Sequence, residues 1–227
     1  ADVVWSGMLV VNGLIFYAVF AGSGFHQLVI MIIPILWYLR LFVHLVGRYD
    51  LKNEDGRYQY LRDHWQHNTQ LKFLFFFIGQ GLLISIFSLP SWFVVQETVS
   101  FDLFDSIALI VIVGSLIGVS LSDRQLSNFK NSKKSRNRGE VCNVGLWRYS
   151  RHPNYFFEWL HWFAYPLLAW HSEFFWLLLI YPFIMLGFLL KFTGIPFNEQ
   201  QNIRSKGDAY REYQKRTNKF FLAPPKI

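Results

Sequence analysis

The segment "GLWRYSRHPNYFFEWLHW", Gly145–Trp162, begins as a charged loop and ends as an apolar helix. Ionisable and amide side chains are costly inside a bilayer unless they are paired or serve a function. Asn154, Glu158 and His161 are spaced i, i+4 and i+7, which predicts one polar stripe along a helix. The segment therefore predicts a polar pocket at the mouth of a membrane helix.

The rest of the chain has the composition of a multi-pass membrane protein. Of its 227 residues 52% are apolar and 16% are charged, whereas about 25% are charged in soluble domains. Several apolar runs approach the ~20 residues that a spanning helix needs. Because backbone groups in a bilayer must hydrogen-bond within their own segment, these runs predict an all-α transmembrane bundle. The single cysteine, Cys142, excludes an intrachain disulfide framework.

The apolar runs predict six spans, or seven if one kinked run is counted as two. Pro34, Pro166 and Pro182 predict kinks or breaks within them. The predicted spans are Val3–Phe20, His26–Val46, Lys72–Leu89, Leu103–Leu121, Asn154–Trp170 and Phe174–Phe192.

Basic residues alternate between the two sides of the predicted bundle. The connections without Lys or Arg are Ala21–Phe25, Pro90–Asp102 and His171–Glu173. The connections that hold all but two of the 22 basic residues are Arg48–Leu71, Asp123–Pro153 and Lys191–Ile227. By the positive-inside rule, the basic connections and both ends of the sequence are predicted to be cytoplasmic. Two explanations of this charge stay open: membrane topology alone, or an anionic ligand that binds at the same face. Nucleic acid is not an expected partner.

Other polar residues near the predicted bilayer leave alternatives open. Arg40 and His44 lie on one helix face, where Arg40 either serves a function or extends to the interface. The stripe of Asn154, Glu158 and His161 either lines a ligand pocket or is satisfied by neighbouring helices. Tyr155, Trp159 and Trp162 follow on the adjacent stripe and are also typical of an interfacial belt.

Two His-containing pairs have the spacing of metal ligands, and one acidic loop contains possible proton donors. Glu158–x–x–His161 and His64–x–x–His67 have metal-ligand spacing, but a membrane desaturase needs more histidines, so we predict no metal. The loop that contains Glu54, Asp55 and Tyr58 is either a solvated loop or a source of a proton donor.

Two longer stretches resemble the steroid 5-alpha-reductase-like family, and most closely its uncharacterised, largely bacterial branch. They are "RGEVCNVGLWRYSRHPNYFFEW" and "TGIPFNEQQNIRSKGDAYREYQKRTNKFFLAPP", and the resemblance covers Asp123–Pro225. Sterol C14-reductases share Arg-His-Pro-Asn-Tyr and a similar tail, and isoprenylcysteine carboxyl methyltransferases share Arg-His-Pro and the tail. The resemblance therefore implies a cofactor pocket open to the cytoplasm, for NADPH or for S-adenosylmethionine.

The reductase resemblance assigns roles to individual residues. Asn154 and Tyr155 match the Asn-aromatic pair at the nicotinamide end of NADPH. Arg148, Arg151 and His152 match the basic approach to that pair. The other cofactor-side positions are Asp123, Gln125, Arg138, Lys206, Asp208, Tyr210, Tyr213 and Arg216. The resemblance thus divides one membrane-embedded domain into a substrate-side half, residues 1–122, and a cofactor-binding half, residues 123–227.

The resemblance also implies the reaction, which is hydride transfer to the β-carbon of a conjugated C=C–C=O group in a steroid-like or other lipid. An acid would polarise the carbonyl group and protonate the enolate; Tyr155, Glu158 and Tyr58 are the candidates, in that order. Family members hold the substrate carbonyl with a Glu on an early helix and a Tyr on a later helix. The candidates for these positions here are Glu54, Tyr58 and Gln80. The predicted substrate contacts are Arg40, Glu54, Gln80, Trp159, His161 and Trp162.

We expect an NADPH-dependent oxidoreductase acting on CH–CH groups in a bacterial inner membrane rather than in the endoplasmic reticulum. The aromatic residue after Asn154 favours the reductases, and the many basic residues suit the phosphates of NADPH. The alternatives are an S-adenosylmethionine-dependent isoprenylcysteine-type carboxyl methyltransferase and a non-catalytic membrane protein that binds lipid or nucleotide. The expected partners are a lipid substrate that enters from the bilayer and the membrane lipids themselves.

Overall fold

The structure is a computed structural model that describes residues 2–20, 25–47, 56–65, 67–95, 100–132, 140–192 and 194–226. Over these residues it is all-helical with no strand, which confirms the predicted fold class. Its α-helices are α1 (Asp2–Phe20), α2 (Phe25–Val46), α3 (Gly56–Trp65), α4 (Thr69–Val95), α5 (Leu103–Asn131), α6 (Pro153–Leu160), α7 (Ala164–Leu168), α8 (Phe175–Gly187), α9 (Gly194–Lys206) and α10 (Asp208–Arg216).

Within the described residues, three helical segments are long and apolar enough to cross a membrane: Thr69–Val94, Leu103–Asn131 and Phe175–Lys206. Val3–Phe16 and Ile32–Val46 are shorter apolar helices. Many large apolar side chains on these helices are exposed, as expected where lipid replaces water around the protein. The fold therefore fits a membrane helical bundle, and the number of spans stays a prediction.

The chain divides into two compact units, Ala1–Phe101 and Asp102–Ile227. In the first unit, α1 packs against α2 and α4, and α3 contacts α4. The ring of Trp5 meets the buried Tyr38 edge to face, with the ring centroids 6.3 Å apart. On α3, the ring of Tyr58 packs among aromatic side chains of α4, where its centroid lies 6.0 Å from that of Phe76.

The second unit begins with α5, which packs against α6 and α7. Its start is fixed by a capping box: the Asp102 carboxylate accepts hydrogen bonds from the backbone of Phe104 and Asp105, at 2.8 and 3.1 Å. The Asp105 carboxylate in turn accepts one from the backbone N–H of Asp102, at 2.8 Å. The capping box therefore fixes the residue at which the long helix α5 of the second unit begins.

The predicted span Asn154–Trp170 is not one continuous helix. Helix α6 ends at Leu160, a 3₁₀ turn covers His161–Phe163, and α7 ends at Leu168. Pro166 has no backbone N–H, so it cannot bond to the carbonyl of Trp162 one turn earlier, and the helix changes geometry just before it. The sixth predicted span also ends irregularly, because a π-helical turn, Phe188–Phe192, follows α8.

We expect Gly118→Ala to lower the apparent Tm of the purified protein in detergent. A Cβ atom at Gly118 of α5 would overlap the ring of Phe157 on α6, and overpacking of this kind costs about 1–3 kcal/mol. Gly114→Ala is the matched control, because a Cβ there meets no atom within 4 Å. Melting is measured by intrinsic fluorescence. Equal melting temperatures for the two variants would contradict this packing of α5 on α6.

Candidate functional site

The Glu199 carboxylate on α9 lies at the centre of the polar contacts in the second unit. Its side chain is only 12% exposed. The guanidinium of Arg151 grips it as a fork, with Nε 2.7 Å from Oε1 and Nη2 3.1 Å from Oε2. Gln214 donates to Oε2 at 2.7 Å, and the Tyr210 hydroxyl donates to Oε1 at 3.1 Å. His152 Nε2 lies 3.1 Å from Oε1. We call these five residues the Glu199 clasp.

Arg151 also holds the segment that follows α10. Its Nη1 donates to the carbonyl oxygens of Gln214 and Thr217, both at 2.9 Å, and its backbone N–H donates to Asn218 at 2.8 Å. The neighbouring Ser150 hydroxyl donates to the carbonyl oxygen of Phe220 at 2.7 Å. The Arg-His-Pro segment and the C-terminal tail are therefore one structural unit.

The loop before Arg151 is anchored to the end of α5. The Gln125 side-chain oxygen accepts a hydrogen bond from the backbone N–H of Leu146 at 2.9 Å. The indole of Trp147 donates to the carbonyl oxygen of Ser122, also at 2.9 Å. The buried Tyr213 hydroxyl of α10 donates to the carbonyl oxygen of Trp147. Helices α5 and α10 therefore grip the same loop from two directions.

Burial sets the ionisation of the groups around the clasp. It lowers the pKa of His152 below its usual value of 6.5, and the Glu199 carboxylate only partly offsets this effect. The imidazole is therefore neutral near pH 7 and donates its Nε2–H to Glu199. Burial also raises the pKa of the phenols of Tyr210 and Tyr213, so both remain protonated hydrogen-bond donors.

Asn154 and Tyr155 stand in the first turn of α6, immediately after the clasp residues. The side-chain nitrogen of Asn154 lies 3.4 Å from a carboxylate oxygen of Asp123 on α5. The ring of Tyr155 stacks on that of His152, with centroids 5.6 Å apart and planes 10° apart. The Tyr155 hydroxyl accepts a hydrogen bond of 2.6 Å from the amide of Asn198. Both side chains are thus held by other elements of the second unit.

Several predicted cofactor contacts are charged and outside the clasp. Across the described parts of the second unit, Arg148, Lys206 and Arg216 form no ion pair with a carboxylate. Arg148 and Arg216 are exposed, and the half-buried Lys206 ammonium lies 5.8 Å from the centroid of the Tyr210 ring. Asp208 is exposed and pairs with Arg211 at 2.7 Å. Arg148, Lys206 and Arg216 are therefore cations that no carboxylate of the described second unit neutralises.

Residues 1–217 match the profile of a protein family of unknown function, DUF1295. The chain belongs to the DUF1295 family. No curated protein and no solved structure matches it significantly. The family match includes the helices of the first unit, whereas the motifs that carry the sequence resemblance begin only at Asp123. The whole bundle is therefore shared within the family.

The remaining predicted site residues of α6 and of the 3₁₀ turn that follows it lie among aromatic rings. His161 and Trp162 are each only 1% exposed. His161 Nδ1 lies 2.5 Å from the backbone oxygen of Glu158, and the indole of Trp159 donates to the carbonyl oxygen of Pro182 at 3.0 Å. The ring of Trp162 stacks on Tyr181, with centroids 6.1 Å apart. These predicted residues are therefore held by hydrogen bonds and ring contacts within the second unit.

Other predicted residues lie in the first unit or outside the described part of the chain. Arg40 on α2 and Gln80 on α4 are half-buried, and Tyr58 lies on α3 among aromatic rings. The predictions for Glu54, Asp55 and Arg138 fall outside the described residues. Among the residues that are described, no group of three or more His, Cys, Asp or Glu side chains could hold a metal ion.

Three residues that organise this region were not predicted from the sequence: Asn198, Glu199 and Gln214. Glu199 carried one usable signal, because it is the only carboxylate of α9 in a tail whose neighbours are mostly amides and cations. A buried arginine needs a carboxylate partner, but spacing along the chain could not select this one. Asn198 and Gln214 carried no signal of their own in a tail that is rich in amides.

We expect Glu199→Gln to destabilise the protein strongly and to release the tail. Removing one partner of a buried ion pair leaves the Arg151 charge uncompensated, which costs about 3–5 kcal/mol. Limited proteolysis and melting in detergent should show early cleavage after α9 and a lower apparent Tm. Glu212→Gln is the control, because it removes an exposed ion pair with Lys215 and should leave both measurements unchanged. A stable, protease-resistant Glu199→Gln would contradict the clasp.

The buried His152 predicts a loss of stability in mild acid. Its pKa is lowered in the folded protein, so the unfolded chain binds the proton more readily. Stability is therefore fully present above the unfolded value of 6.5 and falls as the pH drops through it toward the lower folded pKa. His152→Gln should weaken the fall in apparent Tm between about pH 7.5 and pH 5.5. The exposed His67→Gln should keep it, and identical pH profiles for both variants would refute the assignment.

Proposed function

We propose that this DUF1295 protein is a membrane-bound, NADPH-dependent reductase of a conjugated C=C bond in a steroid-like or other lipid. The observation that carries the proposal is the placement of Asn154 and Tyr155 directly beside a rigid clasp. The resemblance assigns this pair to the nicotinamide end of the cofactor, and Asp123, His152 and Asn198 hold its side chains. The sequence resemblance to the steroid 5-alpha-reductase-like family supports the same reading, and the DUF1295 match covers this pair.

The donor set suits NADPH. The pyrophosphate and 2′-phosphate carry several negative charges. Arg148, Lys206 and Arg216, which the resemblance places on the cofactor side, form no ion pair with a carboxylate in the described second unit. The Asn154 amide and the Asp123 carboxylate offer the donor and acceptor that a nicotinamide carboxamide requires. S-Adenosylmethionine has little net charge and would leave these cations unused. When bound, NADPH would supply the hydride.

The clasp residues take a supporting role in this proposal. Arg151, His152 and Tyr210 form hydrogen bonds with Glu199, and Arg151 also bonds to tail carbonyls. In this proposal they shape the pocket and do not contact the phosphates. Preorganised groups of this kind keep reacting atoms aligned. The Tyr155 hydroxyl would donate a proton to the reduced lipid. The half-buried ring of Trp159, deeper along the same segment, would contact the lipid body.

The test is to measure cofactor binding to the full chain in lipid nanodiscs. Energy transfer from tryptophan to NADPH gives the binding signal. We expect NADPH to bind at least about tenfold more tightly than NADH, because the unpaired cations would read the 2′-phosphate. Asn154→Ala should weaken NADPH binding at least about tenfold, because the cofactor would lose its hydrogen bonds to the neutral Asn154 amide. Asn128→Ala, on the exposed face of α5, should bind like the parent chain.

The other outcomes separate the alternatives. Binding of S-adenosylmethionine without NADPH would replace the reductase with a methyltransferase. Binding of neither compound by well-folded protein would exclude both enzymes. Equal NADPH affinity in Asn154→Ala and the parent chain would remove Asn154 from the cofactor site.

A further inference from the structure

Helix α9 approaches Tyr155 unusually closely. A π-helical turn, Phe188–Phe192, separates α8 from α9, and α9 begins at Gly194. A Cβ atom at Gly194 would stand 2.8 Å from the Tyr155 ring, so only glycine allows this contact without a shift. A π-helical turn changes which residues face a neighbouring helix and is frequent at functional sites. Here it is followed by the helix whose first turn lies on Tyr155.

The Tyr155 hydroxyl is held from this same helix. Asn198 lies four residues after Gly194, on the same helical face. Its amide donates a hydrogen bond of 2.6 Å to the Tyr155 oxygen. The rotation of α9 is fixed independently, because the next residue, Glu199, is gripped by Arg151. Ring stacking on His152 fixes the plane of the phenol as well.

This arrangement favours a proton donor. An oxygen that accepts a hydrogen bond from an amide directs its own hydrogen elsewhere, and the bond polarises the O–H group. When the proton leaves, the same amide N–H stabilises the negative charge on the oxygen. Asn202, one turn further along α9, bonds only to the backbone oxygen of Asn198, at 2.8 Å. The two asparagines therefore differ in whether they touch the phenol.

We propose that Asn198 is a positioning residue that orients the Tyr155 hydroxyl for proton donation to the lipid, an inference that rests on the proposed reductase function. In the reaction, the β-carbon would gain a hydride supplied by NADPH, which would leave as NADP⁺. The α-carbon of the resulting enolate would gain the proton of Tyr155, so that the C=C bond becomes a single bond. The Tyr155 O–H bond breaks, and its oxygen carries the negative charge beside the Asn198 amide until water returns a proton.

The first test reads the hydrogen bond without any enzymatic activity. Tyr155 is replaced by genetically encoded 3-fluorotyrosine in the full chain in nanodiscs, and its ionisation is followed by fluorine NMR across pH. With Asn198→Ala, we expect the midpoint to rise by about one pH unit, because the ionised phenol loses a donor. Asn198→Asp has the same shape but no N–H, and it should raise the midpoint further. Asn202→Ala is the matched control and should leave it unchanged.

The second test measures NADPH oxidation with cholest-4-en-3-one as the probe. Asn198→Ala should lower kcat at least about tenfold and enlarge the solvent deuterium isotope effect, with the KM for NADPH unchanged. A merely structural role would lower activity without enlarging that isotope effect, and this result would overturn the proposal. So would an unchanged fluorotyrosine midpoint in both Asn198 variants. A raised midpoint in a chain that neither binds nor oxidises NADPH would instead overturn the reductase function and leave the Asn198–Tyr155 bond standing.

Discussion

The buried ion pair between Arg151 and Glu199 is the constraint on which the second unit depends. Burying two charges is costly unless their hydrogen-bonding capacity is satisfied. Here the guanidinium bonds to both carboxylate oxygens and to the carbonyls of Gln214 and Thr217, while Tyr210 and Gln214 complete the carboxylate. A polar, basic tail is thereby folded onto a set of apolar helices. The tail also packs through apolar contacts, because the buried Phe220 lies in a cluster with Leu189 and Ile195.

The same constraint separates two kinds of residue in the candidate site. Arg151, His152 and Tyr210 were expected from the resemblance to approach a cofactor, yet their polar atoms are bonded to protein groups. Asn154 and Tyr155, next along the chain, are instead placed at the beginning of α6 by this scaffold. A frame of buried hydrogen bonds that supports a small reactive pair is how precise sites are commonly built.

Irregular helix geometry places the rest of the site. The 3₁₀ turn at His161–Phe163 ends α6 after two turns, so His161 does not continue the stripe that Asn154 and Glu158 share on α6. The π-helical turn before α9 similarly sets which residues face Tyr155. Proline accounts for the first irregularity through its missing N–H. The second has no proline within it, and the close contact at Gly194 is the feature associated with it.

The sequence by itself determined the helical class, the apolar segments, and the pairing of an Arg-His-Pro-Asn-Tyr motif with a tyrosine-rich tail. The helical class and the apolar segments follow from local composition and periodicity, because a spanning helix must satisfy its own backbone. The pairing of the motif with the tail follows from the family resemblance. Only the tertiary structure decided that Glu199 pairs with Arg151, 48 residues away, and that Asn198 reaches Tyr155. Such partners depend on how helices turn and end. A π turn or a 3₁₀ turn changes the facing residues by a fraction of a helical turn, and helical spacing alone does not encode that change.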